Sequence, residues 1–319
     1  MIRCSLGTAK VLGLKSVKAD ALPTTAYLMI GDRCKFNCAF CAQARDSGAR
    51  ADMLSRVSWP DFEGEKVLKG LATPGAQENL ERICFQVVQD HAALDETKSW
   101  VKEVQAHSQA PICVSAGPKN LAEIEELITM GVDKVSIALD AATPEVFAKM
   151  KDGVWQVRYE LLLAAAERFP GHMATHLIVG LGESEEEMIR RIQELCALGI
   201  TVALFAFTPV KGTRLEDQKP PLLVHYRKIQ AAQYLIQHGA PVHFVFREGK
   251  LVSYGIAKTE LQTAFESGAA FCTSGCSGCN RPYYNETPGQ TLYNYPRPLT
   301  EEEVQAAWEL LAAELEFEK

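Results

Sequence analysis

Cys34-Lys35-Phe36-Asn37-Cys38-Ala39-Phe40-Cys41 puts three thiols on one short stretch, and Cys272-Thr273-Ser274-Gly275-Cys276-Ser277-Gly278-Cys279 repeats that C-x3-C-x2-C spacing near the other end of the chain. Six of the ten cysteines fall in these two groups. In a reducing compartment such grouping serves metals or catalysis more than disulfides. Three thiolates on one loop hold three irons of a [4Fe–4S] cube and leave the fourth iron open to a non-protein ligand. A structural zinc ion wants four protein ligands, and no further Cys or His adjoins the first group. Zinc completed from a distance, or three unrelated buried thiols, are the other readings. In the second group the intervening residues are small, which suits a tight wrap around a cluster, and no His follows His243. An auxiliary iron–sulfur cluster on Cys272, Cys276 and Cys279 is expected there, with zinc and a distant ligand as the alternative. A serine, a remote cysteine or the substrate would fill its fourth position.

Between the two groups, apolar runs at 26–30, 83–88, 112–115, 134–139, 175–181 and 202–207 alternate with periodic stretches of helical length such as 120–130 and 184–198. The first of these stretches ends at Gly131 and the second at Gly199, and glycine is a common helix stop. The alternation implies βαβ units and a parallel sheet. Six units predict an α/β fold, a partial (β/α)6 TIM-type barrel, with a doubly wound open sheet as the alternative. Residues 1–25 read as an N-terminal extension and 26–248 as the barrel, which includes a helix at 222–237 and a strand at 242–246. Residues 249–319 read as a C-terminal cluster-binding extension with no barrel around it. That extension ends in a helix at 300–315, with Thr300 as N-cap and Glu301, Glu302 and Glu303 in the first turn.

The net charge is −7 and no run is rich in Lys or Arg, so no nucleic-acid partner is expected. No apolar stretch approaches the ~18 residues of a membrane span. The N-terminus lacks the apolar run of a secretory signal. The protein is therefore read as cytoplasmic, without a membrane partner.

C-x3-C-x2-C with an aromatic residue before the last cysteine resembles the signature of the radical S-adenosylmethionine (SAM) superfamily. The resemblance implies a SAM-binding [4Fe–4S] cluster on Cys34, Cys38 and Cys41, with Phe40 against the adenine. Ile178-Val179-Gly180-Leu181-Gly182-Glu183 resembles the fifth-strand element of that superfamily, although His176 stands where the pattern often has Gly. This implies Ile178, Gly180 and Glu183 as SAM contacts; a strand ending in a glycine turn is the other reading. Asp140 resembles a ribose-binding acid, with a turn or helix-capping role as its alternative. Active sites on such barrels gather at the C-terminal ends of the strands.

Within the superfamily, the stretches 23–28, 38–43, 139–145 and 208–213 resemble biotin synthase, which inserts sulfur into unactivated C–H bonds. That family holds a [2Fe–2S] cluster inside the barrel with three cysteines and an arginine. Cys84 and Cys113 match two of those cysteines by place, but Ala174 stands at the third, so both are read as small buried residues. The tail from Cys272 through Arg281-Pro282-Tyr283-Tyr284-Asn285-Glu286 to Tyr293-Asn294-Tyr295-Pro296-Arg297 is similar to the first subunit of the two-component lipoyl synthases. This likeness implies a sulfurtransferase that acts on a protein-bound octanoyl chain and draws sulfur from an auxiliary [4Fe–4S] cluster. It also implies three partners: a second radical SAM lipoyl synthase subunit, an octanoylated carrier (a lipoyl domain or H protein), and an electron donor such as ferredoxin or flavodoxin. Arg281 and Arg297 either face an acidic carrier or anchor local loops. Sulfur insertion into a small molecule, and a non-catalytic cluster-bearing partner subunit, are the alternative functions.

Overall fold

The computed structural model describes residues 1–286, 289 and 291–317. Its centre is six parallel strands: β1 (Thr25–Ile30), β2 (Arg82–Val87), β3 (Ile112–Ala116), β4 (Val132–Ile137), β5 (Met173–Val179) and β6 (Thr201–Ala206). They lie side by side in chain order. Sequential order on one continuous wall is that of a partial barrel, whereas a doubly wound sheet reverses its order midway. The sheet is not closed: β6 is one edge, and two short antiparallel strands, Ile2–Cys4 and Asp61–Phe62, extend the other beyond β1. Helices α1 (Gly64–Leu71), α2 (Ala93–Gln105), α3 (Leu121–Thr129), α4 (Trp155–Arg168), α5 (Glu185–Ala197) and α6 (Leu223–Gln237) follow the strands in turn.

Local chemistry explains the boundaries. Asn120 caps α3 by accepting from Glu123 N (3.0 Å), and Gly131 follows at φ +90°. Ser184 and Glu187 form a reciprocal capping box at the start of α5, and Gly199 lies beyond its end at φ +70°. Thr300 and Glu303 do the same for the terminal helix Glu301–Ala312. The strand expected at 242–246 is instead a hairpin outside the barrel, Val245–Arg247 paired antiparallel with Lys250–Ser253. Its turn residues Glu248 and Gly249 both have positive φ, the conformation of a two-residue hairpin turn.

Strand residues alternate between two environments, as a pleated strand requires. Ala26, Leu28, Ile83, Phe85, Val114, Val135, Leu177 and Leu204 face the helices and form the main core. The opposite column points into the barrel: Thr25, Tyr27, Arg82, Cys84, Gln86, Cys113, Ser115, Lys134, Ser136, His176 and Phe205. Barrel interiors are ordinarily filled by Val, Ile and Leu. A polar, thiol-bearing interior marks this one as a site.

The C-terminal segment covers the gap between β1 and β6. On the β1 side, Thr24 N donates to Asn280 Oδ1 (3.0 Å), Thr24 and Thr25 hydroxyls both donate to Gly278 O (2.8 Å each), and Arg281 N donates to Tyr27 Oη (3.0 Å). On the β6 side, Leu204 N donates to Ser274 Oγ (3.1 Å), while Asn285 Nδ2 donates to Ala206 O (2.6 Å). The segment expected to stand apart from the barrel is thus part of its wall. Among the described residues, no helix is long and apolar enough to cross a membrane.

Glu185, at the start of α5, ties that helix to α6 and to the hairpin. It is buried and accepts from His225 Nδ1 (3.0 Å), Lys228 Nζ (3.4 Å) and Leu251 N (2.6 Å). Burial pushes its pKa up, but His225, Lys228 and the Leu251 amide outweigh burial and hold it below the ordinary 4.5. A depressed carboxylate contributes stability that is complete above its unfolded pKa and is lost as pH falls through the folded one. Glu185→Gln is therefore expected to destabilise the protein by roughly 2–4 kcal/mol at neutral pH, since Lys228 is left buried without its charge partner. Urea unfolding at a series of pH values should show the gap between the two proteins narrowing below pH 4.5. A gap that stays constant as pH falls well below that value would contradict the assignment.

Candidate active site above and inside the barrel

The loop after β1 carries Cys34, Cys38 and Cys41, and all three border one cavity of about 250 Å³ at the C-terminal ends of the strands. Backbone hydrogen bonds to distant elements hold the loop: Cys34 N to Gln43 O (3.2 Å), Lys35 N to Gln89 O (2.7 Å) and Ala39 N to Met150 O (2.7 Å). Asp152 Oδ2 accepts from Asn37 N (3.0 Å). Burial, and then the neighbouring Cys38, push the Cys41 thiol up to about 12; burial also raises Cys38, against the pull of Lys151. Buried thiols this close ionise together only beside a compensating cation. Three soft donors on one wall and open space before them fit an iron–sulfur cube with one free iron.

Of the expected SAM contacts, Phe40, Asp140 and Ile178 border the same cavity. Asp140 sits at φ +61° and is clamped to β5, its N–H donating to His176 O (2.8 Å) and its carbonyl accepting from Ile178 N (2.8 Å). Its carboxylate pairs with Lys151 Nζ at 2.6 Å, and both side chains are largely buried. Gly180 and Glu183 lie just behind the cavity wall. Glu183 accepts from Gly180 N (2.7 Å) and Leu181 N (3.0 Å), so its carboxylate shapes the loop after β5. Gly180 has φ +101°, and a Cβ there would meet Pro221 Cδ at 2.9 Å. These two residues position the loop that presents Ile178.

The second cysteine group is divided. Cys276 and Cys279 border the barrel interior together with Cys84 and Cys113, in a small cavity of about 40 Å³. Cys113 Sγ lies 3.5 Å from Cys276 Sγ, Arg82 donates to Cys113 Sγ (3.1 Å), and Cys279 Sγ is 3.4 Å from Tyr27 Oη. The Cys113 hydrogen bond lowers the Cys276 pKa; burial opposes it, and Arg82, Lys134 and Arg281 assist. Cys272 stands apart, its thiol toward the carbonyls of Arg297 (3.5 Å) and Gly268 (3.9 Å). The chain turns inward only after it, at Gly275 (φ +127°), where a Cβ would press on Ala203. Cys272, Cys276 and Cys279 do all border an outer groove at the barrel floor. The expected trio therefore does not share the barrel interior, and Cys84 and Cys113 are members of a thiol cluster as well as buried side chains.

Residues from several elements separate the upper cavity from the lower. Gln86, Ser115, His176, Phe205 and Tyr284 border both. Burial pulls His176 down to about 4, so its imidazole is neutral at physiological pH. Arg281 is half-buried, its guanidinium 4.0 Å from the Phe205 ring centroid, while Arg297 pairs with Glu303 (2.7 Å). Both arginines have local partners in the C-terminal segment or the wall beside it. Lys151, Tyr284 and the interior role of Arg281 carry no motif and were not legible as site residues. The interior column itself is readable as alternate positions of the predicted strands.

An iron–sulfur enzyme built on an open (β/α) barrel is what this fold and donor set define. Residues 28–195, just over half of the chain, match the Radical SAM superfamily domain. The chain belongs to that superfamily, whose cofactors are a [4Fe–4S] cluster and SAM. It is 24% identical over 189 residues to biotin synthase of Sulfurihydrogenibium sp. (strain YO3AOP1), covering 58% of this chain and 55% of that protein. It is 23% identical over 269 residues to biotin synthase of Acinetobacter baumannii, covering 82% and 78%. The chain thus spans about half the length of the first of these relatives and about three quarters of the second. The FeFe-hydrogenase maturase HydG from Carboxydothermus hydrogenoformans shares the fold, with a TM-score of 0.53 at 18% identity over 75% of this chain and 55% of that one.

Two outcomes test the upper site. Cys41→Ala should remove ~4 irons per chain and abolish reductive release of 5′-deoxyadenosine, both measurable after anaerobic reconstitution. Lys151→Met, which leaves Asp140 buried without its partner, should cost roughly 3–5 kcal/mol in urea unfolding. Adding Asp140→Asn should restore much of that loss. Equal, additive losses from the two changes would mean that the pair is not coupled.

Proposed function

We propose that this chain is a radical SAM sulfurtransferase that inserts sulfur into unactivated C–H bonds of a protein-bound octanoyl chain, as one subunit of a lipoyl synthase. One observation carries the reading: a cluster of four thiols, Cys113 buried and the others half-buried, lies beneath the three-thiol cavity, and the two share the wall formed by Gln86, Ser115, His176, Phe205 and Tyr284. A sulfur insertase needs this layout, with hydrogen abstraction above the substrate carbon and a sulfur source within reach below it.

When bound at Cys34, Cys38 and Cys41, the cluster with SAM supplies a carbon-centred radical, the chemistry that C–H bonds without acidic protons require. An auxiliary cluster at the lower thiols would supply sulfide. The chain's own residues do the rest. Phe40 and Ile178 offer apolar surface to the adenine, and the Asp140–Lys151 pair offers a fixed carboxylate to the ribose. Met29, Leu54, Val87, Val88 and Phe207 give the cavity an apolar lining suited to an alkyl chain. A neutral His176 adds no charge beside a radical intermediate. The likeness of the tail to two-component lipoyl synthases supports the octanoyl substrate. It also supports three partners: a second related subunit, an octanoylated lipoyl domain or H protein, and ferredoxin or flavodoxin as reductant.

The test is anaerobic turnover of an octanoyl-lysine peptide with SAM and dithionite, with and without a candidate second subunit, read by mass spectrometry. A thiol or dithiol product is expected, with the dithiol only when both subunits are present. Release of 5′-deoxyadenosine with no sulfur on the peptide under either condition would overturn the substrate assignment. Insertion into a small molecule is the second reading, favoured by the biotin synthase relatives, and sulfur transfer to a free acid in preference to the lysine-borne chain would support it.

A further inference from the structure

We infer that Cys84, Cys113, Cys276 and Cys279 together ligate one iron–sulfur cluster inside the barrel, and that Cys272 is not among its ligands. The inference rests on the auxiliary cluster proposed above but not on the choice of substrate.

Topology brings the four thiols to one place. Cys84 and Cys113 are directly paired across β2 and β3, and Tyr27 and Lys134 continue the same row on β1 and β4. All these side chains point inward. Cys276 and Cys279 enter from the other side, on the segment anchored to Thr24, Thr25 and Leu204. The 3.5 Å between Cys113 and Cys276 sulfurs is far too long for a disulfide. It is close to the separation of about 3.8 Å that two thiolates on one tetrahedral metal adopt with bonds of ~2.3 Å. Among the described residues, no three His, Cys, Asp or Glu side chains converge tightly enough for a single ion. Four thiols spread around a cavity suit a centre with more than one metal.

The surroundings also point to a ligand. Arg82, Lys134 and Arg281 border the same cavity. Arg82 is also paired with Asp133 (2.6 Å), but three cations on one side of four thiols favour thiolates, and four thiolates on a cluster carry the net negative charge that matches them. Ser136 borders this cavity too, and its hydroxyl oxygen is buried without a hydrogen-bond partner. Such an orphan is uncommon in a native interior; a sulfide or thiolate in the cavity would accept from it. Cys272, by contrast, has carbonyl oxygens at its sulfur and lies in the field of Arg227, Arg297 and Glu303.

The experiment compares anaerobically reconstituted wild type, Cys84→Ala/Cys113→Ala and Cys272→Ala by iron and sulfide analysis, Mössbauer spectroscopy and release of 5′-deoxyadenosine. Wild type should hold ~6 to ~8 irons, the double variant ~4, and Cys272→Ala the wild-type number. All three should still release 5′-deoxyadenosine, which establishes that the upper cluster and the fold survive. Should the double variant fail to fold, the single isosteric changes Cys84→Ser and Cys113→Ser are read by the EPR signal of the second cluster. Each should shift that signal, because ligand identity tunes a cluster, and Cys272→Ser should not. The proposal is overturned if Cys272→Ala falls to ~4 irons while the Cys84/Cys113 variants keep the full number, or if the interior binds zinc without sulfide. Failure to thiolate an octanoyl peptide would leave the iron counts unchanged, so loss of the substrate assignment and loss of this one are separate results.

Discussion

Six parallel strands leave this barrel open between β6, whose outer edge is unpaired in the sheet, and β1, whose outer edge meets only the short strand Ile2–Cys4, so the inward side chains there need a cover. Here the cover is the chain's own segment from Cys272 to Asn285. Thr24 and Thr25 hold it on one side, and Leu204 and Ala206 on the other. Nearly everything functional depends on that closure. It carries Cys276 and Cys279 into the interior, inserts Tyr284 between the two cavities, and sets Arg281 against Phe205.

The interior that results is unlike an ordinary barrel core. Aliphatic packing lies largely on the helix side of the sheet, where Leu28, Phe85, Val114 and Leu177 supply it. The inner column is free to carry thiols, cations and hydroxyls. Polar groups in such a space are costly unless each has a partner. Most have one: Arg82 bridges Asp133 and Cys113, Gln86 reaches Cys84, and Lys151 meets Asp140. Two stacked sites, one at the strand ends and one within the barrel, then share a single wall. That arrangement supports sulfur insertion over other uses of a SAM-derived radical.

Much of this was legible beforehand, for local reasons. The α/β alternation, the six barrel strands, the caps at Asn120, Ser184 and Thr300, and the loop bearing Cys34, Cys38 and Cys41 all follow from periodicity and short spacing. Spacing along the chain is a weaker guide to proximity in space. Cys272, Cys276 and Cys279 repeat the first motif, yet the turn at Gly275 sends two of them inward and leaves Cys272 behind. The strand expected at 242–246 gave way to a hairpin because Glu248 and Gly249 both adopt left-handed backbone.

By itself, then, the sequence determined the type and order of the elements and the grouping of Cys34, Cys38 and Cys41 on one loop, because those depend on residues within a turn or two of one another. Only the tertiary structure decided which thiols share a site. Cys84, Cys113, Cys276 and Cys279 lie on three separate stretches of chain. They meet because adjacent parallel strands align Cys84 with Cys113, and because the distant segment bonds to both sides of the gap that an incomplete barrel leaves between β6 and β1.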